Sequence, residues 1–223
     1  MDVRRGLLAG SAVVALGVFV AMLLGYRLGW APLTRVDDAA LDATLRIGER
    51  HPGWVTFWDV YCTLLGPTAF RLVTLVVIAI AFARRRLTVA VFLIVSVELS
   101  GLVIEVAKRL VDRPRPSTAL VHAASSSFPS GHALGVMVAV IALLTVSLPL
   151  VPAARRPWLI AVGVAVVVSI GVGRVVLNVH HPSDVIAGWA LGYAYVVFCL
   201  LVAGPVRPVR EPVEIPEVSG TAR

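Results

Sequence analysis

Three short segments of this chain are far more polar than the sequence around them. The first is Lys108-Arg-Leu-Val-Asp-Arg-Pro-Arg115-Pro116. The second is Phe128-Pro129-Ser130-Gly131-His132, and the third runs from Gly173-Arg174 through His180-His181-Pro182-Ser183-Asp184. Lys108, Arg115 and Arg174 supply three cations. Arginine forks match phosphate oxygens in pairs, and lysine adds a point charge. Ser130 and Gly131 stand where an apolar stretch begins. A helix start offers free backbone N–H groups and the positive end of its dipole, and Gly131 lets the backbone approach a ligand closely. Together these residues describe a phosphate cradle. His132 and His180 add two imidazoles. Pro182 suits the first turn of a helix, which puts Asp184 in that turn and His180 just before it. A carboxylate there can accept from one ring nitrogen and leave the other free to attack. A nucleophile, an acid and a cationic cradle together describe phosphoryl transfer through a phosphohistidine, the chemistry expected of these residues.

The elements that must carry these segments are apolar. Of 223 residues, 58% are hydrophobic and only 15% charged, with a mean hydropathy of +0.90. A soluble fold of this size could not bury so much apolar surface. The same numbers exclude disorder. Two cysteines, Cys62 and Cys199, exclude a disulfide scaffold. The expected fold is all-α, a bundle of six transmembrane helices. The apolar stretches run at about Leu7–Gly25, Trp54–Ala83, Leu87–Ala107, Ala133–Val151, Trp158–Val179 and Val185–Ala203. The second contains Asp59 and a Gly66-Pro67 break, so it reads as a short helix followed by a crossing from about Thr68. Arg4 and Arg5 precede the first stretch, which is too long for a signal-peptide core and reads as a retained helix. Residues 1–204 form one domain in this reading, and 205–223, rich in Pro, Val and Glu, a solvated cytoplasmic tail.

Basic loops set the expected orientation. Arg84–Arg86 and Arg155–Arg156 are tight cationic turns with no acid nearby, as cytoplasmic loops should be. The opposite loops mix Arg27, Arg35, Arg46 and Arg50 with Asp37, Asp38, Asp42 and Glu49. Both termini are therefore expected in the cytoplasm of a multi-pass plasma-membrane protein. All three polar segments then fall at the outer face, and that convergence is itself an argument for one site.

Lys-x6-Arg-Pro, Pro-Ser-Gly-His and Arg-x5-His-x3-Asp, in this order, resemble the three signatures of the type-2 phosphatidic acid phosphatase (PAP2) superfamily. The resemblance implies a membrane lipid phosphatase of the six-helix type. It implies His180 as nucleophile, Asp184 as its orienter and His132 as the group that protonates the leaving oxygen. Lys108, Arg115, Arg174, Ser130 and the backbone at Gly131 would hold the phosphate. It implies no cofactor and no metal. One position departs: the family usually has Ser before the third-segment Arg, and this chain has Gly173. The implied partners are the bilayer and a lipid phosphate, with no nucleic acid. The substrate candidates are undecaprenyl diphosphate, phosphatidic acid and phosphatidylglycerol phosphate.

Other readings stand beside this one. The same site could pass phosphate to a lipid or sugar acceptor. It could hold vanadate in a haloperoxidase, which the apolar composition disfavours, or belong to an inactive transport or scaffold protein. Arg109, Arg113 and Arg115 taken alone read as a juxtamembrane basic cluster. Lys108 is different, being the single lysine among twenty cations. His51, His122 and His181 read as caps or interfacial residues. Glu98 and Glu105 share a helix face, and Glu105 is spaced to pair with Lys108. The five tryptophans read mostly as interface anchors, and Cys62 and Cys199 as apolar fillers.

Overall fold

The structure, a computed structural model, describes residues 3–203; the tail read at 205–223 lies outside them. Six stretches of helix are long and apolar enough to cross a bilayer: Val3–Arg27, Pro52–Ala83, Leu87–Val111, Gly131–Leu150, Ala153–Val176 and Pro182–Ala203. A helix satisfies its backbone internally, which a lipid environment demands. α1 is Val3–Arg27. The second span divides at Gly66 into α3, Pro52–Leu64, and α4, Pro67–Ala83, as the Gly-Pro pair predicts. The third joins α5, Leu87–Leu93, to α6, Ser100–Val111, through one π turn at Ile94–Glu98. α7 is Gly131–Ser147, α8 is Arg156–Val176 and α9 is Pro182–Ala203.

The boundaries move in ways that matter for the polar segments. α6 continues to Val111, so Lys108 sits in its last turn, and Asp112 ends it in a left-handed conformation. α8 stops at Val176, not Val179, and Asn178 turns the chain at φ 54°. α9 begins at Pro182, three residues before the apolar run, where proline needs no backbone donor.

The composition reading passed over one helix. α2, Ala31–Arg50, is polar overall and amphipathic. Asp37, Leu41 and Gly48, spaced in multiples near one helical turn, form its buried stripe. Its signal was an alternation of acids and aliphatics in a loop counted only for charge.

α7 and α9 form the centre, with α1 along the flank of α9. Ser11 and Tyr193 share a hydroxyl hydrogen bond of 2.9 Å, and Arg5 donates to the Leu201 carbonyl at 2.9 Å. α7 and α9 approach closely because Gly188 has no side chain. A Cβ there would lie 2.6 Å from the Ser130 carbonyl oxygen and 3.0 Å from Ala133 Cβ. Leu134, Val138 and Ala142 of α7 pack with Val196 of α9 and with Phe92 and Leu93 of α5. The core clusters and this close crossing fix the ends of α6, α7, α8 and α9 at one end of the bundle.

Gly188→Val should push α9 off the start of α7. Overpacking of this kind costs about 1–3 kcal/mol, so the detergent-solubilised variant should melt several degrees lower. Gly17→Ala, at a position with open space around it, should leave melting nearly unchanged.

Candidate active site

The first and second segments meet because the loop between them folds back on the cations. Lys108 and Arg174 are each 7% exposed. The Lys108 ammonium donates to the Ser126 carbonyl. Arg115 donates through Nε to the Ser125 carbonyl at 2.6 Å and through Nη1 to the Val179 carbonyl at 2.7 Å. The same Nη1 lies 3.3 Å from Nε2 of His180. Ser130 donates its N–H to the Asp184 carbonyl at 2.9 Å, tying the start of α7 to the start of α9. Cε of Lys108 approaches the Cβ position of Gly131 at 3.8 Å. The ring of His132 lies against Gly66, the break between α3 and α4, whose Cβ position is 3.3 Å from Nε2. Ser130 Oγ and Arg174 Nε are buried without a hydrogen-bond partner among the described residues. Buried polar atoms are rarely left so; here both belong to the cradle read from the sequence, and an anion's oxygens would satisfy them.

Behind His180 stands a carboxylate under tension from several donors. Asp184 Oδ2 accepts from the His181 N–H at 2.9 Å and lies 3.2 Å from His181 Nδ1. His180 Nδ1 is farther, at 3.6 Å. His180 thus faces Asp184 with an Nδ1 that closes no hydrogen bond among the described residues and Arg115 with its Nε2. Asp184 Oδ1 accepts from Arg113 Nη1 at 2.8 Å. Arg113 also donates to Ser183 Oγ at 2.7 Å and, through Nη2, to Asp37 Oδ2 at 3.1 Å. Asp37 in turn accepts from the Ser183 N–H at 2.9 Å, capping the start of α9 from another helix. The sequence reading gave Arg113 only as a juxtamembrane cation and Asp37 only as a loop acid, with no role for either in the site. Arg113 is one of the unspecified positions of Lys-x6-Arg-Pro, and Asp37 lies seventy-odd residues upstream.

Burial moves the ionisation of the groups outside the spans. His180 is held down at about 4, chiefly by burial, with Asp184 opposing and Arg115 and Arg174 adding to the shift. Its imidazole is therefore neutral at ordinary pH, the form that can attack. Arg115 is lowered from its usual value by burial and then by Arg174. An anion bound beside both cations would relieve their repulsion.

The profile of the PAP2 superfamily matches residues 89–207. The chain belongs to the PAP2 superfamily. Phosphatidylglycerophosphatase B of Bacillus subtilis is 34% identical over 161 residues, covering 70% of this chain and 77% of the relative. Undecaprenyl-diphosphatase of Sulfolobus acidocaldarius is 28% identical over 137 residues, covering 57% of this chain and 63% of the relative. The crystal structure of a transmembrane PAP2-type phosphatidylglycerolphosphate phosphatase from Bacillus subtilis superposes with a TM-score of 0.70 at 24% identity, over 85% of this chain and 94% of that one. That likeness shows the shared helical membrane fold.

Within the PAP2 pattern, Gly173 is the departure, and α3 fills its place. A Cβ at Gly173 would lie 2.6 Å from Cys62 Sγ and 2.7 Å from Trp58 Cε3. Cys62 is fully buried beside Arg174, its thiol 4.0 Å from the Ile170 carbonyl. Cys62 is therefore more than filler, and Trp58 packs inward instead of anchoring at the interface. Trp189 does likewise, its ring against Gly171. Glu105 pairs with Arg109 at 2.6 Å on an exposed face, not with Lys108. His181 lines the site as the nearer donor to Asp184.

Two outcomes are expected. Gly173→Ser should not improve this PAP2 site: the added side chain displaces Cys62 or Trp58 and with them Arg174, so turnover should fall about tenfold or more, an effect of the size overpacking brings. Cys62→Ala added to Gly173→Ser should restore much of the loss, measured as kcat/KM of the double variant against each single one. In 15N-imidazole spectra of the protein in detergent, His180 should stay neutral as pH falls from 8 to 5 and gain its proton only near 4. Protonation midway near 6.5 would contradict the burial argument.

Proposed function

We propose that this PAP2 chain is a membrane lipid phosphatase that removes the terminal phosphate of a lipid phosphate or diphosphate through a phosphohistidine at His180. The observation that carries the reading is the arrangement of His180, its Nε2 at 3.3 Å from Arg115 and its Nδ1 toward Asp184, beside the buried unpartnered Ser130 Oγ and Arg174 Nε. In the first step the Nε2 lone pair bonds to phosphorus and the bond to the lipid oxygen breaks. His132 gives that oxygen a proton. In the second step water, losing a proton to His132, attacks phosphorus and the N–P bond breaks, releasing inorganic phosphate and neutral His180. Lys108, Arg115, Arg174, Ser130 and the Gly131 N–H stabilise the charge on the transferring group, usually the largest contribution to such catalysis. Asp184, 3.6 Å from Nδ1, favours the tautomer with its proton there once the pair closes on substrate, and Arg113 keeps Asp184 in place.

The names of the relatives support phosphatidylglycerol phosphate and undecaprenyl diphosphate as substrates, with phosphatidic acid as the simplest alternative. Residues 1–204 act as one catalytic domain in this reading. The arginine turns at 84–86 and 155–156 support cytoplasmic termini and a site at the outer membrane boundary. There the phosphate reaches the cradle while the tails stay among the helices.

Detergent-purified protein with chelator present should release phosphate from at least one of these lipids. His180→Ala should lose at least a thousandfold while melting as wild type does. Rapid quench should trap an acid-labile, base-stable phosphoenzyme in wild type and none in His180→Ala. Release undiminished in that variant would overturn the nucleophile, and phosphate passed to added lipid or sugar alcohols in preference to water would replace hydrolysis by transfer.

A further inference from the structure

Arg71 is an ionised side chain inside the second span that the catalytic scheme does not use. It lies on α4, four residues after Pro67, which packs on the Cβ position of Gly135 in α7 at 3.0 Å. Its guanidinium rests on α6 at Gly101. A Cβ there would meet Nη2 at 2.7 Å, so the absence of a side chain at Gly101 lets the planar group lie directly on the helix. Gly101 and Lys108 are seven residues apart, two turns on the same face, and about 10 Å along the axis. Ile104, between them, comes within 3.3 Å of the Gly131 Cβ position. Along α6 the floor of the cradle at Ile104 therefore lies about 4.5 Å from Gly101. One stripe of α6 leads from the cradle into the bilayer and passes under Arg71, the direction a lipid must take from its phosphate to its tails.

Among the described residues Arg71 donates no hydrogen bond and closes no ion pair. Glu98, at the end of the π turn below, feels its charge, yet Glu98 Oε1 is itself buried with no hydrogen bond. A cation at membrane depth is costly unless something there needs it. Its fork of donors matches two non-bridging oxygens of a phosphate.

We propose that Arg71, lying over Gly101, forms a second anion subsite for an inner phosphodiester of the lipid whose terminal phosphate occupies the cradle. This rests on the phosphatase reading above, and it names the preferred substrate class. That class is lipids with two phosphates separated by a short polyol bridge. A direct diphosphate keeps both its phosphates within the cradle, and a single-phosphate lipid offers only ester carbonyls at this depth.

The test compares wild type with Arg71→Gln and Arg71→Lys on phosphatidylglycerol phosphate, phosphatidic acid and undecaprenyl diphosphate. Arg71→Gln should lower kcat/KM for phosphatidylglycerol phosphate about 10- to 100-fold, the size of a charge-assisted hydrogen-bond pair. The loss should fall on KM, since the contact exists before and during reaction. The other two lipids should change less than about threefold, a margin well under one such bond, and Arg71→Lys should keep part of the preference. Equal losses on all three lipids, or none on phosphatidylglycerol phosphate, would overturn the subsite. A loss on phosphatidic acid matching that on phosphatidylglycerol phosphate would replace it with ester recognition. A second measurement does not depend on turnover. Phosphatidylglycerol, which retains only the inner phosphate, should raise the melting temperature of wild type but not of Arg71→Gln, and diacylglycerol should act on neither. Arg71-dependent stabilisation in a protein that hydrolyses none of the lipids would sink the phosphatase reading and leave the subsite standing. No Arg71-dependent stabilisation would sink the subsite.

Discussion

The guanidinium of Arg113 is the junction on which the site end of this bundle depends. It lies between two buried carboxylates, Asp184 at 2.8 Å and Asp37 at 3.1 Å. It also covers the ring of Tyr26 at 4.5 Å from the centroid. α1, α2, the loop after α6 and α9 therefore all converge on one side chain. Burying three charges is tolerable only when each is matched and hydrogen-bonded, and removing one partner of such a group typically costs 3–5 kcal/mol. The junction is conditional in that sense. It demands that four parts of the chain be correctly placed at once, and it holds Asp184 still while that carboxylate serves the histidines.

The rest of the cradle is assembled by the same logic of satisfied donors. Lys108 and Arg115 are aimed by carbonyls of the 125–126 loop, not by acids. Carbonyls fix direction without cancelling charge, so the cations remain available to an anionic ligand. The acids that do neutralise sit behind the histidines, away from the face where a phosphate would lie. Arg174 follows a second pattern, lying beside Cys62 of α3 and in the field of Asp59. Lys108 and Arg115 thus share the 125–126 loop, with the Val179 carbonyl added for Arg115, while Arg174 lies against α3.

The sequence made the six spans legible because a bilayer accepts little else, and it made the three segments legible because their residues are so unlike their surroundings. The remainder depended on tertiary placement. α2 has no strong apolar run, and its stripe of Asp37, Leu41 and Gly48 means little until α9 and Arg113 lie across it. Arg113 looked like one more juxtamembrane cation among three. The exchange at Gly173 looked like a lost hydroxyl, since nothing in the third segment shows that Trp58 and Cys62 come to fill that volume from a helix more than a hundred residues away. Glu105 had two cations within reach on its own helix, and the exposed Arg109 takes it while Lys108 turns inward. Spacing defines which side chains can meet; burial decides which of them do.

The π turn at Ile94–Glu98 acts on the angular phase of the third span. A single extra residue is absorbed there, and the Tyr195 hydroxyl donates to the Val95 carbonyl at 2.5 Å within the same turn. Each residue of an α-helix advances its successors by about a hundred degrees, a consequence of 3.6 residues per turn. Without that insertion, packing Ala90, Phe92 and Leu93 into the core would rotate every later position of the span, and Lys108 would turn toward lipid. The widened turn lets the lower half of the helix answer to the core and the upper half to the chemistry, two clocks set independently on one rod.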